Sequence, residues 1–132
     1  MPFVRISLPD SLTDVTKENI SISVHQSLMQ EFNIPENDFF HVIEELKPNQ
    51  IKFPKHYLGV SHTSDIVFIQ IIAGKGRTVE QKRGLYKEIA RRITSTTSIT
   101  KNNIIIVLVE NEGKQNWSFG NEEIQEPKHL FK

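Results

Sequence analysis

Four residues of this 132-residue chain bring together chemistry that could act on a small anionic molecule: Pro2, Asp38, Lys75 and Arg77. A cell commonly trims an initiator methionine that precedes a small residue, and loss of Met1 would leave Pro2 with a secondary amine. An α-amino group has a reference pKa of roughly 7.7–8.0, and burial pushes a cationic acid lower still. Near neutral pH such a nitrogen can be a general base, a general acid or a nucleophile. The run Gly74-Lys75-Gly76-Arg77-Thr78 suits an anion. Backbone N–H groups at a helix start attract negative charge, Arg77 adds a planar fork for a carboxylate, and Lys75 adds a point charge. The same loop also reads as two solvated cations beside a helix cap, and its spacing is not that of a phosphate-binding P-loop. Asp38 reads either as a carboxylate able to handle water or a proton, or as the turn residue that starts a strand.

These residues can meet only if the strands that carry them end at one rim. Displacing the chain by 65 positions lays Phe3-Val4-Arg5-Ile6 on Phe68-Ile69-Gln70-Ile71, and Thr13 and Lys17 on Thr78 and Lys82. The apolar stripe Ile20, Val24, Leu28 falls on Leu85, Ile89, Ile93, and Asp38 on Asn103. Each half reads as strand–helix–strand. Residues 3–8, 39–46, 66–73 and 103–110 are short runs rich in β-branched or aromatic side chains, while 13–32 and 79–95 carry i, i+4 apolar spacing. Thr78-Val79-Glu80-Gln81 has the form of a capping box. The expected organisation is one domain over 1–132, with pseudo-repeats at about 1–46 and 65–111, a linker at 47–64 and a tail at 112–132.

Two β-α-β units can join with all strands parallel, or with the second unit antiparallel to the first. In the antiparallel case both helices lie on one sheet face, and Pro2, Asp38, Lys75 and Arg77 arrive at the same rim. In the all-parallel case Lys75 and Arg77 sit at the far rim. Val4, Ile6 and Leu8 would face the helices with Ile69 and Ile71. Phe3, Phe68 and Ile72 would point the other way, mixed with Arg5 and Gln70. Two helices leave that second face uncovered, which predicts self-association.

Sixteen basic and sixteen acidic side chains give a formal net charge of zero, so no global field favours nucleic acid or an anionic membrane. The absence of cysteine excludes disulfides, thiolate metal sites and a cysteine nucleophile. Neither a signal peptide nor an apolar run of about 18 residues stands out, so the expected location is the cytoplasm. His25, His41, His56, His62 and His129 show no metal-ligand pairing at helical or strand spacing. Trp117 and Phe119 read as tail packing or as the wall of a small-molecule pocket.

Met1-Pro2-Phe3-Val4, Ile34-Pro35-Glu36-Asn37-Asp38, Tyr57-Leu58-Gly59, Gly76-Arg77-Thr78 with Glu80-Gln81-Lys82, Leu108-Val109-Glu110-Asn111 and Asn116-Trp117-Ser118-Phe119-Gly120 occur in this order over nearly the whole chain. In them the chain resembles the tautomerase superfamily, and within it the long-subunit branch that includes malonate semialdehyde decarboxylase. The resemblance implies an α+β fold: a tandem β-α-β repeat forming a four-stranded mixed sheet with two helices on one face, assembled as a homotrimer. It implies Pro2 as the catalytic amine, Arg77 as the binder of a substrate carboxylate, Asp38 as an activator of water, and Trp117 and Phe119 as a hydrophobic wall. The decarboxylase carries two arginines in the loop where this chain has Lys75 and Arg77, and lysine keeps the charge without the fork. The implied substrate is a small 2-oxo or enol carboxylate, turned over without a metal or organic cofactor. Keto–enol tautomerisation, decarboxylation or hydration, and a non-catalytic trimeric binding module are the three functions this leaves.

Overall fold

Alternating apolar residues make strands and fourfold apolar spacing makes helices here, and the two sets of side chains meet in one core. A computed structural model describes residues 2–113 and 115–125; Met1 and His129 therefore lie outside the described residues. The main elements are β1 (Phe3–Pro9), α1 (Asp14–Phe32), β2 (Phe40–Leu46), β3 (His56–Tyr57), β4 (Val60–Ser61), β5 (Val67–Gly74), α2 (Val79–Thr96) and β6 (Ile104–Asn111).

The four long strands form one sheet in the order β2-β1-β5-β6. β1 and β2 are parallel, β5 and β6 are parallel, and the central pair β1 and β5 is antiparallel. The second unit is thus inverted relative to the first. Val4, Ile6 and Leu8 of β1 and Val67, Ile69 and Ile71 of β5 are buried with Ile20, Val24 and Leu28 of α1 and Leu85, Ile89 and Ile93 of α2. Full burial of each such side chain is worth about 1.5–3 kcal/mol. Both helices therefore cover the same sheet face.

The duplication persists in polar detail. Thr13 and Thr78 cap the two helices, accepting from the backbone N–H of Thr16 and of Gln81. Lys17 Nζ meets Glu45 at 2.7 Å, and at the matching positions Lys82 Nζ meets Glu110 at 2.6 Å. Each pair ties the first turn of a helix to the end of the strand that follows it.

The other sheet face carries Arg5, Ser7, Phe68, Gln70, Ile105 and Val107 around a shallow hollow of about 220 Å³. Phe40, Val42, Val107 and Val109 are exposed. The linker at 47–64 holds more order than its composition suggests. Its short helical turn at Pro48–Gln50 precedes a hairpin in which His56 pairs with Ser61 and Tyr57 with Val60. Leu58 and Gly59, at φ 50° and 78°, form its turn. Two-residue strands are too short to show alternation, which is why the sequence reads there as a loop. No helix among the described residues is long and apolar enough to cross a membrane.

Candidate active site

Strand register brings the chemical residues to one rim. Phe3 stands opposite Phe40 on the parallel side and opposite Ile72 on the antiparallel side. Pro2 is therefore next to the segment Asp38-Phe39 that enters β2, and next to the Ala73-Gly74 end of β5. β6 finishes at the same rim, with Asn111 opposite Gly74. The loop Lys75-Gly76-Arg77 and the segment after Asn111 both leave from there. Gly76, at φ 122°, takes a backbone conformation that favours glycine.

Pro2 and Asp38 are both buried. The loop that delivers Asp38 is braced at several points. The Asp38 N–H donates to the Pro35 carbonyl at 3.0 Å. His25 Nε2 lies 2.7 Å from the Glu36 carbonyl, which can only accept, so this nitrogen carries the hydrogen. The His25 ring also packs on Phe39 at a centroid distance of 5.0 Å. Asn103, the repeat counterpart of Asp38, accepts from the Thr63 N–H at 2.9 Å and donates to the Thr63 hydroxyl at 2.8 Å. At the far rim that position fixes a turn.

Arg77 is half-buried on the helix side of the rim. Its Nη1 donates to the Gly74 carbonyl at 3.1 Å and its Nη2 to the Phe32 carbonyl at 3.3 Å. The guanidinium lies 4.8 Å from the centre of the Phe32 ring, a cation–π distance. Burial pulls the guanidinium below the usual arginine range, and the nearby Glu110 carboxylate opposes that pull. A guanidinium has five N–H groups, so these two bonds leave others for a ligand. Lys75 is different: its Nζ pairs with Glu112 at 2.7 Å on the exposed surface. Its charge is partly answered within the chain.

The open side of the rim is aromatic. Trp117 stacks on Phe119 at 5.4 Å with 13° between planes, and Phe119 stacks on Phe40 at 5.7 Å. With Phe3, Ile72, Asn111, Asn116 and Ser118, these rings line a cleft of about 580 Å³. The Phe119 N–H donates to the Gln125 side-chain oxygen at 2.8 Å, and the Gln125 N–H to the Trp117 carbonyl at 3.0 Å. Trp117 and Phe119 thus wall a pocket rather than serving only as tail packing. Arg77 contacts Gly74 and Phe32, whereas the cleft is on the opposite side of the sheet edge, with the start of β1 between them. Phe3 and Ile72 were placed on the open face from sequence, but none of Phe3, Phe40, Ile72 and Asn111 was read as lining a cleft. Their shared signal is strand parity: all four fall on the open face once the register is known.

Comparisons with known proteins agree with this architecture. Two models described as tautomerase enzyme match the chain, one over residues 38–120 and one over 2–60. "Probable tautomerase YusQ" of Bacillus subtilis (strain 168) is 37% identical over 121 residues, spanning 92% of this chain and 94% of the relative. Among solved structures, FG41 malonate semialdehyde decarboxylase inhibited by 3-bromopropiolate superimposes with a TM-score of 0.86 at 25% identity, covering 93% of this chain and 92% of that one. A fused 4-OT symmetric trimer shares the fold, with a TM-score of 0.74 at 14% identity over 90% of this chain and 92% of the other. The inverted β-α-β pair, its single helical layer and a match that runs from Pro2 to Gly120 place this chain in the tautomerase enzyme family.

Proposed function

We propose that the protein is a keto–enol tautomerase of the amino-terminal-proline type, acting on a small 2-oxo or enol carboxylate. The observation that carries this reading is a buried Pro2 at the head of a central strand, beside an aromatic cleft, in a chain of the tautomerase family. After removal of Met1, the neutral Pro2 nitrogen takes the enol hydroxyl proton. The oxygen lone pair forms the carbonyl, the C=C electrons move to carbon, and Pro2 returns the proton there. Arg77 holds the substrate carboxylate and stabilises charge developing on the adjacent oxygen. Trp117 and Phe119 exclude water, which lowers the amine pKa and favours its basic form. Lys75 adds positive charge to the approach, moderated by Glu112. Copies of the chain associate through the open sheet face, and the expected assembly is a homotrimer.

A second reading is favoured by the structural match to the FG41 decarboxylase and by the burial of Asp38 on the rim of Pro2. In it a cationic Pro2 polarises a carbonyl or protonates carbon while Asp38 activates water, giving decarboxylation or hydration. Titration of the mature amino-terminal nitrogen separates the two: a pKa below about 7 fits a base, and one above about 9 fits an acid. Pro2→Ala is expected to lower conversion of an aromatic enolpyruvate by about 10²-fold or more, and Arg77→Ala to lose both binding and turnover. Unchanged kinetics in Pro2→Ala would remove Pro2 as the catalytic amine, whereas mass spectrometry showing Met1 retained on the purified protein would remove the proline base and sink the enzymatic reading. The protein would then be a trimeric binding module.

A further inference from the structure

Asn111 ends β6 on the open face of the sheet, in the row that contains Val107 and Val109, and lines the aromatic cleft. Two of its polar groups are committed. Its backbone carbonyl accepts from the Lys75 N–H at 2.8 Å, and its side-chain Oδ1 accepts from the Gly113 N–H at 3.0 Å. The second bond fixes which way the amide is turned, because only the oxygen can accept. The Nδ2 group, with two hydrogens, is what the side chain has left for the cleft. Trp117, on the same cleft, has its indole N–H buried without an acceptor among the described residues. Buried donors normally find acceptors, and the ring faces beside these donors offer none of comparable strength.

Resting on the reading of this cleft as the substrate site, we propose that Asn111 is a specificity-determining residue. Its Nδ2 donates to the acceptor oxygen of a flat carbonyl compound whose apolar part extends the row of rings formed by Trp117, Phe119 and Phe40. The cleft therefore selects ligands that present a carbonyl or enolate oxygen; a hydroxyl in its place can accept from Nδ2 but leaves its own O–H beside two donors. Arg77, on the other side of the rim, is left to the carboxylate.

Trp117 is the only tryptophan of the chain, so its fluorescence reports binding in the cleft without any need for turnover. The probes are 4-phenylbutan-2-one and 4-phenylbutan-2-ol, which are close in outline; both oxygens can accept from Nδ2, but the alcohol brings an O–H that must find an acceptor of its own. The wild-type protein is expected to favour the ketone by about three- to tenfold, the value of one neutral hydrogen bond. Asn111→Asp keeps an oxygen for the Gly113 N–H and replaces the donor by an acceptor, so the preference reverses toward the alcohol. Asn111→Ala withdraws the donor, and the bond to the Gly113 N–H with it, and the preference falls to near one; this variant decides the matter if the aspartate variant does not fold. A ketone preference that survives in both variants overturns the proposal, as does equal loss of both probes or failure of the ketone to bind the wild type. Pro2→Ala measured in parallel keeps the two readings apart. Turnover retained in that variant removes Pro2 as the catalytic amine and leaves the ketone preference standing, whereas a missing preference with lost turnover removes only the role of Asn111.

Discussion

His41 shows how residues near this rim are held away from their ordinary chemistry. Its Nδ1 lies 2.9 Å from the Ser21 hydroxyl, and its ring meets those of His25 and Phe39. Burial, and then the charge of His25, push its pKa down from 6.5 to about 4. Glu18 and Glu36 line the same hollow beside α1. The unfolded chain takes up a proton as pH falls through about 6.5 while the folded protein refuses it until about 4, so stability is lost across that window and levels off below it. Allowing for solvent screening of a partly exposed ring, the loss is on the order of 1–2 kcal/mol. Urea midpoints measured from pH 7 to 4 should fall less steeply in His41→Gln than in the wild type. Parallel slopes would reject His41 as a cause. From sequence, Pro2 and Asp38 could be placed on one rim, because parallel strands begin at the same edge, and Lys75 and Arg77 only in the antiparallel arrangement of the two units, which the register shows. The bonds of Arg77 to Phe32 and of Lys75 to Glu112 could not, since they depend on how α1 and the segment after β6 close over the rim. The His25 brace on Glu36 was equally hidden, because nothing in its spacing distinguishes it from a surface histidine.

The loop that carries Lys75 and Arg77 is fixed at its far end by the start of α2. Thr78 Oγ1 accepts from the Gln81 N–H at 3.1 Å, and Gln81 returns the bond to the Thr78 N–H at 2.9 Å. Gln81 also donates to the Glu31 carbonyl at 3.4 Å, linking the two helices. Thr78→Ala is expected to cost about 1 kcal/mol, lowering the melting temperature by a few degrees. Because Arg77 is the preceding residue, the same variant should raise KM more than it lowers kcat. A melting temperature and KM both equal to wild type would show that the cap holds nothing in place. This box was legible from the Thr78-Gln81 spacing alone, as were the four long strands and both helices from their periodicity. The β3–β4 hairpin was not, because a turn built on Leu58 and Gly59 lacks the usual Asn-Gly signal and its strands are two residues each.

For the molecule as a whole, the open sheet face is the surface on which the proposed self-association rests. Val107, midway along the edge strand β6, is 52% exposed and shares a hollow with Phe68, Ile105 and Arg5. If the proposed trimer forms through this face, Val107→Glu should shift sedimentation equilibrium toward smaller species at micromolar concentration while leaving the far-ultraviolet circular dichroism unchanged. A variant that stays trimeric would place the interface elsewhere. The uncovered face was foreseeable from a count of two helices against four strands with apolar residues on both sides. The duplication itself has another consequence. It builds the same corner twice, with Lys17–Glu45 behind one and Lys82–Glu110 behind the other, yet a chain has only one amino end. At the second corner Val67 follows Ile66 through an ordinary peptide bond, so no amine can arise there, and Asn103 is occupied in holding Thr63. The molecule carries its own unreactive control, in which the same backbone frame has kept its architecture and never acquired a reagent.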